Sequence, residues 1–175
     1  MTEHAYAVTF RILRVIHVYA AIVLVGSIIF NTGVLMPALR RIPPAHSAVV
    51  SQKIGAGLMW LGGSAIFLLG LTGFTRAWIL GELSLLFSSD FIGDPRLEWT
   101  ALMASSWLML AITGTLSGVW YGTILTKKLP YSAGLRDLEE RRAAQAKVSA
   151  WQDRLAYINL TLALLAAFGG IMASS

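Results

Sequence analysis

Four long stretches without a charged residue dominate this sequence. They contain no Asp, Glu, Lys or Arg and comprise Val15–Leu39, Ile54–Thr75, Trp99–Thr126 and Leu155–Ser175. An α-helix rises about 1.5 Å per residue, so about 20 residues cross a hydrocarbon core of about 30 Å, and each stretch is long enough. Within lipid, only a helix or a closed barrel satisfies its own backbone groups, and uninterrupted apolar runs favour the helix. The sequence therefore predicts an integral membrane protein.

The composition agrees with this prediction. Only 13% of the residues are charged, whereas soluble domains carry about 25%. We predict an all-α fold, a four-helix transmembrane bundle that forms a single domain over residues 1–175. Its helices are expected at about residues 10–38, 50–80, 98–126 and 150–173. The chain has no cysteine, which excludes disulfides, thiolate metal sites and cysteine nucleophiles.

The basic residues are distributed unevenly between the two ends of the predicted bundle. Ten lie in or beside the first and third loops, namely Arg40, Arg41, Lys53, Lys127, Lys128, Arg136, Arg141, Arg142, Lys147 and Arg154. The other four are Arg11, Arg14, Arg76 and Arg96. By the positive-inside rule, we expect both termini to lie outside. The expected location is the bacterial inner membrane, as a multi-pass protein. Basic charge then orients the protein and contacts lipid head groups, so no nucleic-acid partner is expected.

Two further patterns describe how the helices extend and pack. The segment Leu135–Ala156 is predicted to be a charged cytoplasmic helix that leads into helix four. Helix three carries Gly114, Gly118 and Gly122 on one face, a spacing that lets helix backbones approach closely in lipid. This face predicts tight helix packing within the lipid bilayer. The expected protein partner is either a second copy of the chain or a subunit of a membrane complex.

His17 is the most informative residue for function. It lies a few residues inside the outer end of helix one, where an ionisable side chain is costly without a partner or a role. A neutral imidazole is a good ligand for copper, zinc or haem iron. The alternative is a neutral histidine that is hydrogen-bonded to a neighbouring helix.

Counting residues from the helix ends shows which residues share the depth of His17. At about 1.5 Å per residue, this level meets residues 72–76 of helix two, 103–107 of helix three and 168–172 of helix four. It holds Met103 and Met172, with Arg14 and Arg76 above it. Histidine with thioether sulfur suits Cu(I), and His/Met also ligates haem iron. The arginines are candidates for pairing with haem propionates.

A second polar layer is predicted closer to the cytoplasm. Asn31 on helix one and Asn159 on helix four lie at similar depth, and a hydrogen bond between their amides would join the two helices. The charge-free stretches hold no carboxylate to relay protons or bind a cation, which disfavours an ion-coupled transporter. The sequence contains no G-x-S-x-G, H-E-x-x-H or Walker motif.

The first helix reads His17-Val-Tyr-Ala-Ala-Ile-Val-Leu-Val-Gly26-Ser-Ile-Ile-Phe30, followed by Pro37-Ala-Leu39. This pattern resembles the opening of copper-resistance protein D (CopD)-like membrane domains. The Leu-Thr72-Gly73 segment of helix two is similar to the family's LTG segment. Leu24 and Ser27 stand where the family often has Trp and a second Gly. The resemblance implies an inner-membrane copper protein with His17 at the ligand position.

HemJ-type protoporphyrinogen oxidases are similar in architecture, and their helix-one histidine is implicated in haem binding. Their functional lysine in helix three has no counterpart between Glu98 and Lys127. Three functions are therefore expected: copper handling through His17, Met103 and Met172; b-haem binding with His17 as axial ligand; or a non-catalytic subunit of a membrane complex.

Overall fold

The computed structural model describes residues 3–85, 93–120 and 135–173, and its regular elements are all helical. Four long helices follow one another: α1 (Glu3–Phe30), α3 (Pro44–Ile79), α5 (Pro95–Trp120) and α6 (Leu135–Met172). A π-helical turn (Asn31–Leu35) and the short α2 (Met36–Leu39) continue α1, and α4 (Glu82–Leu85) follows α3. Four helices are long and apolar enough to cross a membrane, which confirms the predicted multi-pass bundle.

The long helices are antiparallel to the neighbours that they contact. The start of α1 lies at the end of α3, because the Tyr6 hydroxyl donates to the Ile79 carbonyl at 3.1 Å. The start of α5 lies at the end of α6, where Trp99 and Phe168 pack edge to face. We call the end that holds Glu3, Ile79, Pro95 and Met172 the terminal end of the bundle.

The core is small and made of aliphatic side chains from all four helices. Its buried members are Ala20, Leu24, Ala65, Leu69, Leu110 and Ala163. Most other large apolar side chains face outward, as expected where lipid rather than water surrounds the helices. His17 precedes Ala20 by three residues and Leu24 by seven, so it lies on the face of α1 that points into the bundle.

The glycines contribute unequally to packing. A Cβ on Gly70 would overlap the Trp107 ring, whose Nε1–H donates to the Ile66 carbonyl at 3.0 Å. A Cβ on Gly114 would meet only a side-chain atom of Ile66, at 3.5 Å. By contrast, the positions of Gly26, Gly33, Gly57, Gly62 and Gly63 open onto space free of neighbours within 4 Å. Close approach in this bundle therefore depends on only some of the glycines.

The π-helical turn in the first helix has an identifiable cause. Pro37 has no backbone N–H, and its ring crowds the carbonyl four residues earlier, so a regular α-helix cannot continue through it. Immediately before it, the Met36 N–H donates to the Asn31 carbonyl, five residues back. The extra residue in this turn absorbs the conflict while the helix continues to Leu39.

Candidate functional site at His17

His17 bonds to α3 through one of its two ring nitrogens. Its Nδ1 lies 2.8 Å from Oγ1 of Thr72, within the range of α3 that depth counting predicts. Gly73 provides room for the ring, since a Cβ there would lie 3.4 Å from Cε1 of His17. The Thr72-Gly73 pair therefore forms the surface on which the imidazole rests.

The hydrogen bonds of Thr72 indicate the tautomer of His17. The Thr72 hydroxyl lies 2.6 Å from the Leu68 carbonyl, which can only accept. A hydroxyl has one hydrogen, so we assign that hydrogen to Leu68 and the role of donor to Nδ1–H of His17. The Leu69 carbonyl, 3.4 Å from the same hydroxyl, also attracts a ring N–H. Nε2 then carries the lone pair, which is the state required of a metal ligand.

Arg76 lies one turn beyond Thr72 on the same face of α3. Its guanidinium carbon is 5.0 Å from the centre of the Phe10 ring on α1, a cation–π contact. Its Nε is buried and has no hydrogen-bond partner among the described residues. The charge of Arg76 acts on the His17 ring, so the two side chains belong to one electrostatic environment.

Positive charge exceeds negative charge around Arg76. The charges of Arg14, Arg96 and Glu82 all act on its guanidinium. Glu82 is already engaged, because its carboxylate lies 2.9 Å from the Arg96 guanidinium and is only 14% exposed. Arg14 is exposed on α1, three residues before His17. Two of the three arginines, Arg14 and Arg76, therefore remain without a described carboxylate partner.

The two predicted thioether ligands lie at the α5/α6 interface and at the last turn of α6. A Cβ on Gly170 would lie 3.3 Å from the sulfur of Met103, and one on Gly169 would lie 3.4 Å from Cβ of Met103. Met172 is 37% exposed at the terminal end. The described contacts of His17 are with α3 and those of Met103 are with α6. A shared ligand set of His17, Met103 and Met172 stays a prediction.

Four of the residues that shape this site were missed as site residues by the sequence analysis. Thr72 and Gly73 lie within the predicted depth range, but only their contact with the ring identifies them. Phe10 precedes His17 by seven residues, which places both on one helix face and could have been noticed. Glu82 begins the short α4 after α3, and the sequence alone does not show that it pairs with Arg96 at the start of α5.

The predicted amide pair of the second layer is wrong in its partner. Asn159 Oδ1 is hydrogen-bonded to the hydroxyl of Thr113 on α5. Among the described hydrogen bonds none joins Asn31 to Asn159, although α6 contacts the π-helical turn. The bond therefore joins α5 to α6, and Asn31 belongs to a different local environment.

The site is not a conventional carboxylate or histidine metal centre. Among the described residues, no group of three or more His, Cys, Asp or Glu side chains is placed to hold a metal ion. Comparison with known proteins gives no assignment either, since no family model, no curated protein and no solved structure matches the chain. Function must therefore be argued from the site itself.

Proposed function

We propose that this chain is a multi-pass protein of the bacterial inner membrane that binds a metal centre near the outer leaflet through Nε2 of His17. The observation that carries the proposal is the Nδ1···Thr72 hydrogen bond, which leaves Nε2 as the lone-pair nitrogen. Metal-ligating histidines characteristically donate their second ring N–H to a neighbouring acceptor, which fixes the ring and the tautomer. The terminal end faces outward in this proposal, because the basic first and third loops are retained inside.

The charges around His17 favour haem over a bare copper ion. The charge of Arg76 acts on the imidazole and that of Arg14 acts on Arg76, and neither arginine has a described carboxylate partner. A cation bound to Nε2 would be repelled by Arg76. The two propionates of haem would instead pair with these guanidinium groups by charge-assisted hydrogen bonds. The buried and unpartnered Nε of Arg76 is a donor that such an acid group would satisfy. The residues present thus fit a b-haem.

In that case His17 would hold the haem through Nε2, and Thr72 would keep the imidazole ring in place. Gly73 keeps the surface beside the imidazole free of a side chain. The protein's own contributions are the orientation of the imidazole, the basicity that its hydrogen bond confers, and charge compensation at the membrane surface. The haem itself supplies the redox chemistry.

Copper is the second candidate, and Met103 supports it. Its thioether lies in the α5/α6 interface, in the same end of the bundle as His17. Sulfur and neutral imidazole together suit Cu(I), which does not require a carboxylate ligand. A copper site would need Met103 to approach His17, so the copper proposal makes Met103 essential, whereas the haem proposal does not.

The optical spectrum of the purified protein tests these proposals. We expect a Soret band that is lost in His17→Ala and retained in His46→Ala, because His46 is an exposed histidine outside the predicted membrane spans. Colourless protein with stoichiometric copper, lost in both His17→Ala and Met103→Leu, would establish copper instead. Protein without metal or pigment, purified together with other membrane subunits, would leave the role of a packing subunit.

Pairing of the arginines with haem propionates can be tested separately. Arg76→Gln should lower haem occupancy severalfold, and Arg11→Gln should not, since Arg11 is an exposed arginine one turn before Arg14 on α1. Titration of apoprotein with haem and with its dimethyl ester separates the contribution of propionate pairing from any other effect of the substitution on haem binding. Wild type should lose affinity with the ester, and Arg76→Gln should discriminate less between the two forms. Equal affinity of wild type for both forms would contradict propionate pairing.

A further inference from the structure

Thr32 differs from every other described threonine in this bundle. The other seven are Thr9, Thr72, Thr75, Thr100, Thr113, Thr115 and Thr161, and each hydroxyl lies 2.6–3.1 Å from the carbonyl four residues earlier. This internal bond is the usual way in which a threonine in a membrane helix satisfies its hydroxyl. Thr32 is only 4% exposed, and its Oγ1 has no hydrogen-bond partner among the described residues.

The backbone carbonyl of Thr32 also lacks its helical donors. In a regular α-helix it would accept from the Met36 N–H, but that N–H donates to Asn31 instead. In a continued π-helix it would accept from residue 37, which is a proline and has no N–H. One residue thus presents a hydroxyl without a described partner and a carbonyl that lacks both its α-helical and its π-helical donor.

Leaving these groups unbonded would be costly at this depth. A buried hydroxyl or amide without a hydrogen bond costs about 1–3 kcal/mol by mutational data. Thr32 lies within the candidate membrane span Ala5–Leu39, where bulk water does not reach the helix. The site therefore requires a species that donates to a carbonyl and also bonds to a hydroxyl.

We propose that the π-helical turn holds a bound water that donates to the Thr32 carbonyl and exchanges a hydrogen bond with the Thr32 hydroxyl. A neutral ligand fits because the two groups at the site, a hydroxyl and a backbone carbonyl, carry no net charge to balance that of an ion. Water is the smallest molecule with both the donors and the acceptors required, and buried waters characteristically make about three hydrogen bonds to such groups. The site is independent of His17 and of any metal centre bound there.

Water-edited solid-state NMR of the full chain in lipid bilayers tests the proposal directly. Magnetisation from water should reach the Thr32 and Gly33 amides severalfold faster than the Thr100 amide. Thr100 is the matched control, because it is also buried, at 9% exposed, but bonds to its own helix. Pro37→Ala supplies the missing N–H and should slow the transfer to Thr32. Transfer to Thr32 no faster than to Thr100 in the wild type would overturn the proposal.

Stability gives a second test. A hydroxyl bonded to water and a hydroxyl without a partner predict opposite effects of Thr32→Val on the unfolding equilibrium. If water is bound, Thr32→Val should raise the equilibrium constant of unfolding by about 3- to 10-fold, as for the loss of one hydrogen bond. Thr32→Ser keeps the hydroxyl and should leave the equilibrium constant of unfolding unchanged. A hydroxyl without water predicts that Thr32→Val lowers the constant, which would refute the proposal. A destabilisation present in sodium or potassium but absent in N-methylglucamine would assign the site to a cation and also refute it.

Discussion

At the terminal end of the bundle, the two antiparallel helix pairs are joined by different kinds of contact. The α1/α3 pair meets through polar side chains, with His17 on Thr72 and Arg76 over Phe10. The α5/α6 pair meets by backbone approach: a Cβ on Gly169 would lie 3.0 Å from the Trp99 carbonyl oxygen and 3.2 Å from the Met103 nitrogen.

Small residues and van der Waals contact are the ordinary means of helix association in lipid. At the terminal end, packing of this kind explains the α5/α6 contacts; the polar contacts of this pair, Thr113 with Asn159 and Gln152 with the Ser117 carbonyl, lie farther along the helices. The α1/α3 pair instead places an imidazole and arginines where apolar side chains would pack at lower cost. The difference is what the proposed ligand at His17 would account for.

The largest expected effect comes from closing the space at Gly169. Gly169→Ala forces a methyl group against the backbone of α5, and overpacking of this kind costs about 1–3 kcal/mol. The backbone atoms of Trp99 and Met103 cannot move as a side chain can. Reversible unfolding in mixed micelles, followed by circular dichroism, measures the loss.

Gly26→Ala is the matched control on the α1/α3 side. Its added Cβ meets no atom within 4 Å, so only the helix propensity changes. Alanine in a helix interior is favoured over glycine by about 0.5–1 kcal/mol, so this variant should be neutral or slightly more stable. Equal destabilisation by the two substitutions would remove the distinction between the helix pairs.

A substitution at Thr72 should affect ligand binding more than stability. Thr72→Val keeps the shape of the side chain but removes the acceptor of the His17 Nδ1–H. Loss of an outer hydrogen-bond partner typically lowers metal affinity about 10- to 100-fold. We therefore expect this loss in the affinity for haem, or for copper if copper is the ligand, with a change in unfolding free energy of only about 1 kcal/mol.

Thr75→Val is the control for this experiment. Thr75 lies on the same helix, and its hydroxyl bonds only to the Leu71 carbonyl. Its substitution should leave affinity unchanged. If Thr72→Val binds as tightly as wild type, the imidazole is not positioned by this hydrogen bond, and the assignment of Nε2 as the ligand atom loses its basis.

The sequence predicted the helices well because the lipid environment leaves few alternatives. Charge-free stretches of sufficient length select helices, and short connections make neighbours antiparallel. The depth of His17 followed from simple counting, which placed Thr72 in the correct range. In contrast, the predicted pair of Asn31 with Asn159 failed, because equal depth does not fix the direction in which a side chain points.

Other features depend on geometry that the sequence does not contain. The glycines Gly26, Gly33 and Gly169 look alike in the sequence, but only Gly169 lies against a neighbouring backbone. The lack of a protein partner for the Thr32 hydroxyl coincides with a π-helical turn just before Pro37, and the sequence does not give the position of that turn. The register between helices decides both, and this register arises from packing of the whole bundle.

The smallest effect is expected at the end of the bundle opposite the termini, where an exposed ion pair joins the end of α2 to α6. The Arg40 guanidinium lies 2.8 Å from the Asp153 carboxylate, and their side chains are 57% and 43% exposed. Exposed pairs contribute about 0–1 kcal/mol because solvent screens them and two side chains lose freedom. A double-mutant cycle with Arg40→Ala and Asp153→Ala should give a coupling in this range, and it should shrink at high salt.

A coupling well above 1 kcal/mol, insensitive to salt, would mean that the pair is shielded from water. An ion pair would then stabilise this end as well, and the contrast at the terminal end between the polar α1/α3 contacts and the α5/α6 packing would no longer single out the His17 site.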